Sequence, residues 1–409
     1  MTAPERKVSP ARRAAYETLL RVFEQDAYAD RAFRTAAEGL EERERAFAQR
    51  LAYGAVQRVR TLDHAIETLG KRPVRKLDPP VRAALRLGAY QLGYTDTAPH
   101  AAVNESVELV RRARLERAVP FTNAVMRRLD GGIRELLAAL PEGPLKESYP
   151  DWIHETFVRT LGDEGALALE RALNEPLETV VRLVAGDPPT GAEPTDIPGA
   201  FRVARVNDLA VADGKIWPQS RGSQLAGLCV GAREGERVLD VCAAPGGKTG
   251  QLAGEVTAVE IDPGRASELR ANLAAQKRTN VTVVEADGTA LPPELTGYDR
   301  ALVDAPCSGL GVLGQRPDLR WRAGPLPELQ LALLRSAAER LRPGGTVLYS
   351  VCTINPDENE AVVEASGLRV LPLGEEWPAF AHPHRPEFLL TLPHVHRTSG
   401  FFIALLATG

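Results

Sequence analysis

Apolar residues recur at three- and four-residue spacing through most of residues 6–135, as in Ala11–Phe23, Glu42–Arg58, Arg60–Leu69, Pro80–Leu92 and Ala101–Leu115. That period lines one face of a helix, and strand-like alternation is absent. Pro73, Pro79, Pro80, Pro99 and Pro120 sit near the gaps, where helices stop or start. The pattern predicts an all-α domain of roughly five to seven helices over residues 1–140. Residues 136–145 read as a helix end and a linker.

A small α+β region is expected over residues 146–230. It opens with helical text, Asp151–Leu161 and Glu164–Leu173, then carries strand-like runs Thr179–Val184 and Phe201–Val206 between Pro/Gly-rich turns. The pattern changes again in a third domain, residues 231–409. Short apolar runs (Arg237–Val241, Val256–Ile261, Val281–Glu285, Arg300–Val303, Thr346–Val351) alternate with helical stretches such as Pro263–Gln276 and Leu326–Leu341. Strands alternating with helices predict a mainly parallel sheet covered on both faces. Glu387–His394 and Phe401–Ala407, with only a turn between them, predict a hairpin closing one sheet edge.

Composition narrows the class. With 44% apolar and 25% charged residues, the chain is neither disordered nor collagenous. No run of 18 apolar residues exists, so no membrane span is expected, and Met1–Lys7 lacks the apolar core of a signal peptide. The four cysteines, Cys229, Cys242, Cys307 and Cys352, are scattered and never spaced as CxxC. Neither disulfides nor a metal site is expected, and a reducing cytoplasm fits. The net charge of −4 hides an asymmetry. Residues 1–135 hold 25 Lys and Arg against 18 Asp and Glu, and the remainder holds 25 against 36. A basic head on an acidic body predicts a polyanionic partner for the head. Arg111 and Arg112, with Arg114 and Arg117, are RNA-contact candidates, although such a cluster can also be a solvated helix face. Of the 50 basic residues 43 are Arg, which GC-rich coding explains as readily as phosphate recognition does.

The chemistry gathers where strands end. Arg237–Val241 runs into Cys242-Ala-Ala-Pro-Gly-Gly-Lys-Thr, a turn of small residues that lets the backbone approach a ligand. It is not a P-loop, because Cys242 stands where that pattern needs glycine, and GxGxxG is absent. Glu260 closes the second strand 20 residues after Asp240, the spacing of an acid that accepts from ribose hydroxyls. Asp287 and Asp304 end the next two strands. Each acid alone could be a helix cap, but three after three strands converge on one crevice. An adenosyl ligand without a pyrophosphate fits, which points to S-adenosylmethionine. Cys229 and Cys242 read as small buried residues, whereas Cys307 and Cys352 lie in polar turns just beyond strands. A thiolate beside a methyl donor can add to carbon 6 of a pyrimidine and make carbon 5 nucleophilic. A second thiol or a base then serves product release, and Asp304 is placed to stabilise the adduct at the ring nitrogen.

Four motifs stand in order: Leu-Asp-Val-Cys-Ala-Ala-Pro-Gly-Gly-Lys-Thr (239–249), Val-Asp-Ala-Pro-Cys-Ser-Gly (303–309), Arg-Pro-Asp-Leu-Arg-Trp (316–321), and Ser-Val-Cys-Thr (350–353) with Pro-Asp-Glu-Asn (356–359). They resemble the RNA 5-methylcytosine methyltransferases of the NOL1/NOP2/Sun type. The head, with Pro80-Val-Arg-Ala-Ala-Leu-Arg-Leu-Gly-Ala-Tyr-Gln-Leu and Ala102-Val-Asn-Glu-Ser-Val-Glu-Leu, resembles the RNA-binding NusB domain.

The resemblance implies a Rossmann-like class I methyltransferase domain with a seven-stranded sheet, behind the NusB-like head. It implies that Cys352 is the nucleophile and that Cys307 assists release. Cys242, Ala243, Ala244, Pro245, Gly246, Gly247, Lys248, Glu260, Asp287 and Asp304 would line the S-adenosylmethionine site. Glu260 would hold the ribose and Asp287 the adenine side, and Lys248 would reach toward the target base. The implied substrate is one cytosine of 16S ribosomal RNA, free or in an early assembly particle, with the enzyme a monomer. Two departures stand out: Ser220 and Arg221 where Asp and Glu are usual, and Glu260 where Asp is common. Arg316 and Arg320 are expected either to contact RNA phosphate or to hold a loop by ion pairs, with Arg316 the better RNA candidate. The alternatives are the same chemistry on transfer RNA, a DNA-type arrangement with Cys307 as nucleophile, or a non-catalytic RNA-binding assembly factor.

Overall fold

The structure, a computed structural model, describes residues 8–408. The first seven residues, and with them the expected absence of a signal peptide, lie outside the described residues. The chain divides into two compact units. A helical unit takes the chain up to Val158, then Asp163–Asn174 and Leu313–Arg322. A sheet unit takes Arg159–Gly162, Glu175–Val312 and the chain from Ala323 on. The three-domain division at 140, 146 and 230 is thereby corrected, because the middle region does not stand by itself. Val180, Ile197 and Ala200 of that region share one apolar core with Val238 and Leu302 of the following domain.

The sheet unit carries two sheets. The smaller is antiparallel in the order β2-β3-β1-β4, from β1 (Val180–Leu183), β2 (Glu193–Pro194), β3 (Ala200–Arg202) and β4 (Ile216–Pro218). The larger comprises β5 (Arg237–Val241), β6 (Glu255–Glu260), β7 (Val281–Glu285), β8 (Tyr298–Asp304), β9 (Leu341–Val351), β10 (Arg369–Leu371), β11 (Leu389–Thr391) and β12 (Phe401–Ala407). Its main path, β10-β12-β9-β8-β5-β6-β7, has the expected seven strands, and β11 pairs with β12 as an eighth. β5 to β9 are mutually parallel, so their carboxyl ends open on one side. The terminal hairpin forms and lies at one edge of the sheet, where β11 and β10 both run along the outer side of β12. β12 is paired on both sides, with β9 and with β10. Its run Phe-Phe-Ile-Ala-Leu-Leu-Ala is buried almost throughout, as an interior strand requires.

Among the described residues, the helical unit has seven α-helices before residue 140: Pro10–Glu24, Ala29–Ala36, Glu42–Gln57, Val59–Gly70, Pro79–Tyr94, Pro99–Arg112 and Val119–Ala139. Prolines open three of them, at positions whose N–H would be unpaired anyway. Leu19, Leu51, Leu62, Ile66, Leu85 and Leu129 form a dry core with many small alanines between them. The helix Asp151–Ala172 is broken at Gly162, near the predicted gap. Arg111 and Arg112 are exposed at a helix C-terminus, and Arg111 is ion-paired with Glu108 and Glu116.

The segment Leu313–Arg322 is anchored in this unit by Arg320. Its side chain is 1% exposed, and its guanidinium lies 3.9 Å over the Tyr149 ring. It donates to the carbonyls of Gln57, Ser148 and Leu173 and to Oδ1 of Asn174. Gln57 ends one helix, while Ser148 and Leu173 cap two others. The cation therefore satisfies carbonyls at the negative ends of three helix dipoles. Burial brings its pKa down to about 10. Trp321 adds a bond from Nε1 to the Val56 carbonyl at 2.7 Å. Of the two roles expected for Arg320, holding a loop fits this enclosure, whereas so enclosed a charge cannot meet a phosphate. Arg316 is half-exposed, between Asp30 and Asp318 and over Tyr28. Among the described residues no helix is long and apolar enough to cross a membrane.

Arg320→Met keeps much of the volume but strands these acceptors. It is expected to destabilise the helical unit by about 3 kcal/mol, read as an earlier urea transition in far-UV circular dichroism. An unchanged transition contradicts the anchor.

Candidate active site

β5 delivers the turn Cys242–Lys248. Asp240, buried near the strand end, accepts from Thr249 Oγ1 at 2.7 Å and so ties strand to turn. Burial pushes its carboxyl up to about 7. Cys242 adopts a left-handed φ of 66°, and the Ala243 N–H donates to the Val259 carbonyl, fixing the turn against β6. Gly246 has φ 97°, and a Cβ there would meet Leu269 at 2.8 Å, so glycine is required. Burial, then Glu260 and Asp240, push the Cys242 thiol up to about 12, which leaves it an inert wall of the turn.

Glu260 is 2% exposed at the end of β6. Its Oε1 accepts from the Asp262 N–H at 3.1 Å. Its Oε2 is buried with no hydrogen-bond donor, and Arg265 is 3.5 Å away. An unsatisfied buried acceptor beside a turn stripped of bulky side chains fits a ligand that brings hydroxyl donors, as the ribose of S-adenosylmethionine does. Asp287 is exposed and accepts from Thr289 N and Oγ1 at 2.8 and 2.7 Å, which hold its carboxyl below the usual range. Asp262 is the N-cap of the helix Pro263–Ala275.

At the ends of β8 and β9 four expected residues meet. Lys248 Nζ lies 2.7 Å from Asp304 Oδ2 and 4.7 Å from the centre of the Phe401 ring. Ser350 Oγ donates to Asp304 Oδ1 at 2.8 Å. Cys307 Sγ and Cys352 Sγ are 3.4 Å apart, and neither residue is fully buried. The hydrogen bond from Cys307 lowers the Cys352 pKa, and Lys248 lowers it further against burial and Asp304. The same hydrogen bond, then burial, push Cys307 well above the usual thiol range. Within the pair, Cys352 is thus the thiol that ionises more readily and Cys307 the one held protonated.

The sheet unit thus brings together Lys248, Asp304, Cys307 and Cys352, while Arg111, Arg112, Arg316 and Arg320 all belong to the helical unit. Asp240, Ser350 and Phe401 are site residues that the sequence reading passed over. A signal was present for Ser350, which stands two residues before Cys352. The unusual Arg221 is also explained. It is 5% exposed, donates to Glu178 at 2.5 Å and Asp196 at 2.6 Å, and bonds the His396 carbonyl. Ser220, the other departure, is a helix N-cap that accepts from the Ser223 N–H. Among the described residues no group of His, Cys, Asp and Glu is arranged to hold a metal ion.

Residues 228–407 match the family 16S rRNA methyltransferase RsmB/F, and residues 9–130 match the NusB family. The chain is 34% identical to the probable ribosomal RNA small subunit methyltransferase B of Synechocystis sp., over 97% of this chain and 99% of that one. It is 36% identical to ribosomal RNA small subunit methyltransferase B of Thermus thermophilus, over 79% and 78%. The crystal structure of PH0851 has the same fold, with a TM-score of 0.82 and 24% identity over 99% of this chain and 100% of that one. A strand-end cleft suited to an adenosyl ligand, the two sequence matches and these relatives agree. The chain belongs to the RsmB/F family of S-adenosylmethionine-dependent methyltransferases, with a NusB family domain at its head.

Proposed function

We propose that this enzyme methylates carbon 5 of a cytosine in 16S ribosomal RNA, with Cys352 as nucleophile and Cys307 assisting release. The observation that carries the reading is the Sγ–Sγ distance of 3.4 Å, with the Cys352 pKa lowered, beside the Lys248–Asp304 pair. The names of the relatives and of the matching family supply the substrate class. We take the enzyme to act in the cytoplasm as a monomer, on free RNA or an early assembly particle.

The Cys352 thiolate adds to carbon 6 of the flipped base, and carbon 5 becomes enamine-like. Lys248 and Asp304 form a polar pair suited to hydrogen-bond the ring nitrogen and amino group as charge shifts onto them. Bound S-adenosylmethionine supplies an electrophilic methyl group. Carbon 5 then loses its proton to a base, the carbon 5–carbon 6 double bond re-forms, and Cys352 leaves as thiolate. The Cys307 thiol, hydrogen-bonded to that sulfur, stabilises it as it departs. Glu260 and the Cys242–Lys248 turn hold the cofactor, with Asp287 on its adenine side. In the helical unit, Arg111, Arg112 and Arg316 are the remaining candidates for RNA contact.

Bisulfite sequencing of 16S RNA from a strain lacking the gene is expected to show the loss of one protected cytosine. The wild-type gene should restore it. Cys352→Ala should not, with methyl transfer down by at least about a thousandfold and S-adenosylmethionine binding intact. An unchanged pattern points to another RNA or to a non-catalytic assembly role, and full restoration by Cys352→Ala removes the nucleophile. Cys307→Ala is expected to accumulate a protein–RNA adduct on denaturing gels. It should also raise the pH midpoint for alkylation of Cys352, because a thiol reacts as thiolate and the lost hydrogen bond lowers its pKa. Normal turnover with an unmoved midpoint contradicts the role of Cys307.

A further inference from the structure

The reaction as proposed asks two loops to keep two sulfurs in register through attack and release, and both sulfurs sit on turns rather than on strands. The groups that hold those turns gather around a side chain in the polar run Pro356-Asp-Glu-Asn. Glu358 is fully buried. Its two oxygens accept from donors on three pieces of chain. The Ser308 N–H, next to Cys307, donates at 2.9 Å, and the Ser308 hydroxyl donates to the other oxygen. Asn355 Nδ2, three residues after Cys352, donates at 3.3 Å. The Leu326 N–H and Gln330 Nε2, ahead of and within the helix Pro327–Ala338, donate at 3.2 and 2.9 Å.

The hub is closed on both sides. Gln330 Nε2 also reaches the Pro306 carbonyl, the residue before Cys307, at 2.9 Å. Ser308 Oγ is 2.8 Å from Thr353 Oγ1, the residue after Cys352. The Glu358 carbonyl accepts from the buried Tyr349 hydroxyl on β9 at 2.7 Å. Above the hub, the Gly311 N–H donates to the Cys352 carbonyl at 3.0 Å. A Cβ on Gly311 would sit 2.1 Å from the Gly400 carbonyl oxygen, so the Cys307 loop has no room to drift. A buried carboxylate that accepts five donors replaces water for both loops, and removing one acceptor leaves several buried donors unpaired.

We infer that Glu358 is a positioning residue: it clamps the Cys307 loop to the Cys352 loop and so sets the distance between the two sulfurs. It is not among the residues assigned above to the base or to the cofactor. Its charge acts in the same sense as the clamp, since after the Cys352 hydrogen bond, burial and Cys352 itself, Glu358 adds to what keeps Cys307 protonated. The inference rests on the covalent-adduct reading of the site.

The test uses the full chain and two substitutions. Glu358→Gln puts an amide N–H₂ among donors, and Ser308→Ala removes one donor while leaving the carboxylate. Thermal melting and calorimetric titration with S-adenosylmethionine check that each variant folds and binds cofactor. Diamide then oxidises the thiols, and peptide mass mapping times the Cys307–Cys352 disulfide. In parallel, single-turnover reactions with RNA time the formation and resolution of the protein–RNA adduct. Glu358→Gln is expected to slow cross-linking and adduct resolution by at least about tenfold, the scale at which sub-ångström misplacement is felt. Ser308→Ala should slow both by about threefold and decides the matter if Glu358→Gln does not fold. Wild-type cross-linking overturns the clamp, and so does slow cross-linking with unchanged adduct resolution. Cys352→Ala separates the two readings. Methylation by that variant overturns the adduct reading whatever Glu358 does, whereas equal adduct lifetimes in wild type and Glu358→Gln overturn the clamp alone.

Discussion

Everything in the catalytic unit depends on the parallel register of β8 against β9. Asp304 is paired with Ser350, so the loops carrying Cys307 and Cys352 start level with each other. Three residues on from one partner and two on from the other, the sulfurs arrive 3.4 Å apart. The same register puts Ser350 on Asp304, and Asp304 on Lys248 from the β5 turn. A slip of one residue would turn these side chains to the opposite face. β5 and β6 supply the adjacent half, with the Cys242–Lys248 turn and Glu260 at neighbouring strand ends.

The placement of charge follows from this. Three of the four cysteines have raised thiol pKa values, and burial is the largest or second cause in each. Cys352 alone is lowered, because it receives a hydrogen bond from another thiol and lies near a lysine. The distinction is one of position. Cys229 is buried in a helix, Cys242 faces three acids, and Cys352 has the Cys307 thiol and Lys248 beside its sulfur.

Much of this was legible in the sequence. The parallel strands announced themselves as short apolar runs, and β5 and β7 fall on the predicted residues. The motifs around Cys307 and Cys352 named the residues that meet. Other parts were not legible, for physical reasons. β2 and β4 are only two and three residues long, too short for any period. β10, three residues long, covers the outer side of β12 and has no period of its own. Arginine in a polar motif reads equally as a phosphate contact or as a buried donor. Arg320 proved the second because helix-end carbonyls, absent from any local pattern, surround it. Arg221 is the same case, since its partners Glu178, Asp196 and His396 are remote in sequence. Glu358 sits in a run that resembles an exposed turn, and its donors come from three segments, two of them remote in sequence.

The central claim is that a covalent bond forms between Cys352 and carbon 6 of a cytosine. RNA carrying 5-fluorocytosine tests it most directly, because fluorine at carbon 5 cannot leave as a proton and the adduct cannot resolve. After incubation with S-adenosylmethionine, the complex is digested with nuclease and protease and its peptides are weighed. The account predicts one modified peptide, with the methylated fluoropyrimidine on Cys352. Attachment at Cys307, or methylation without any adduct, would contradict it.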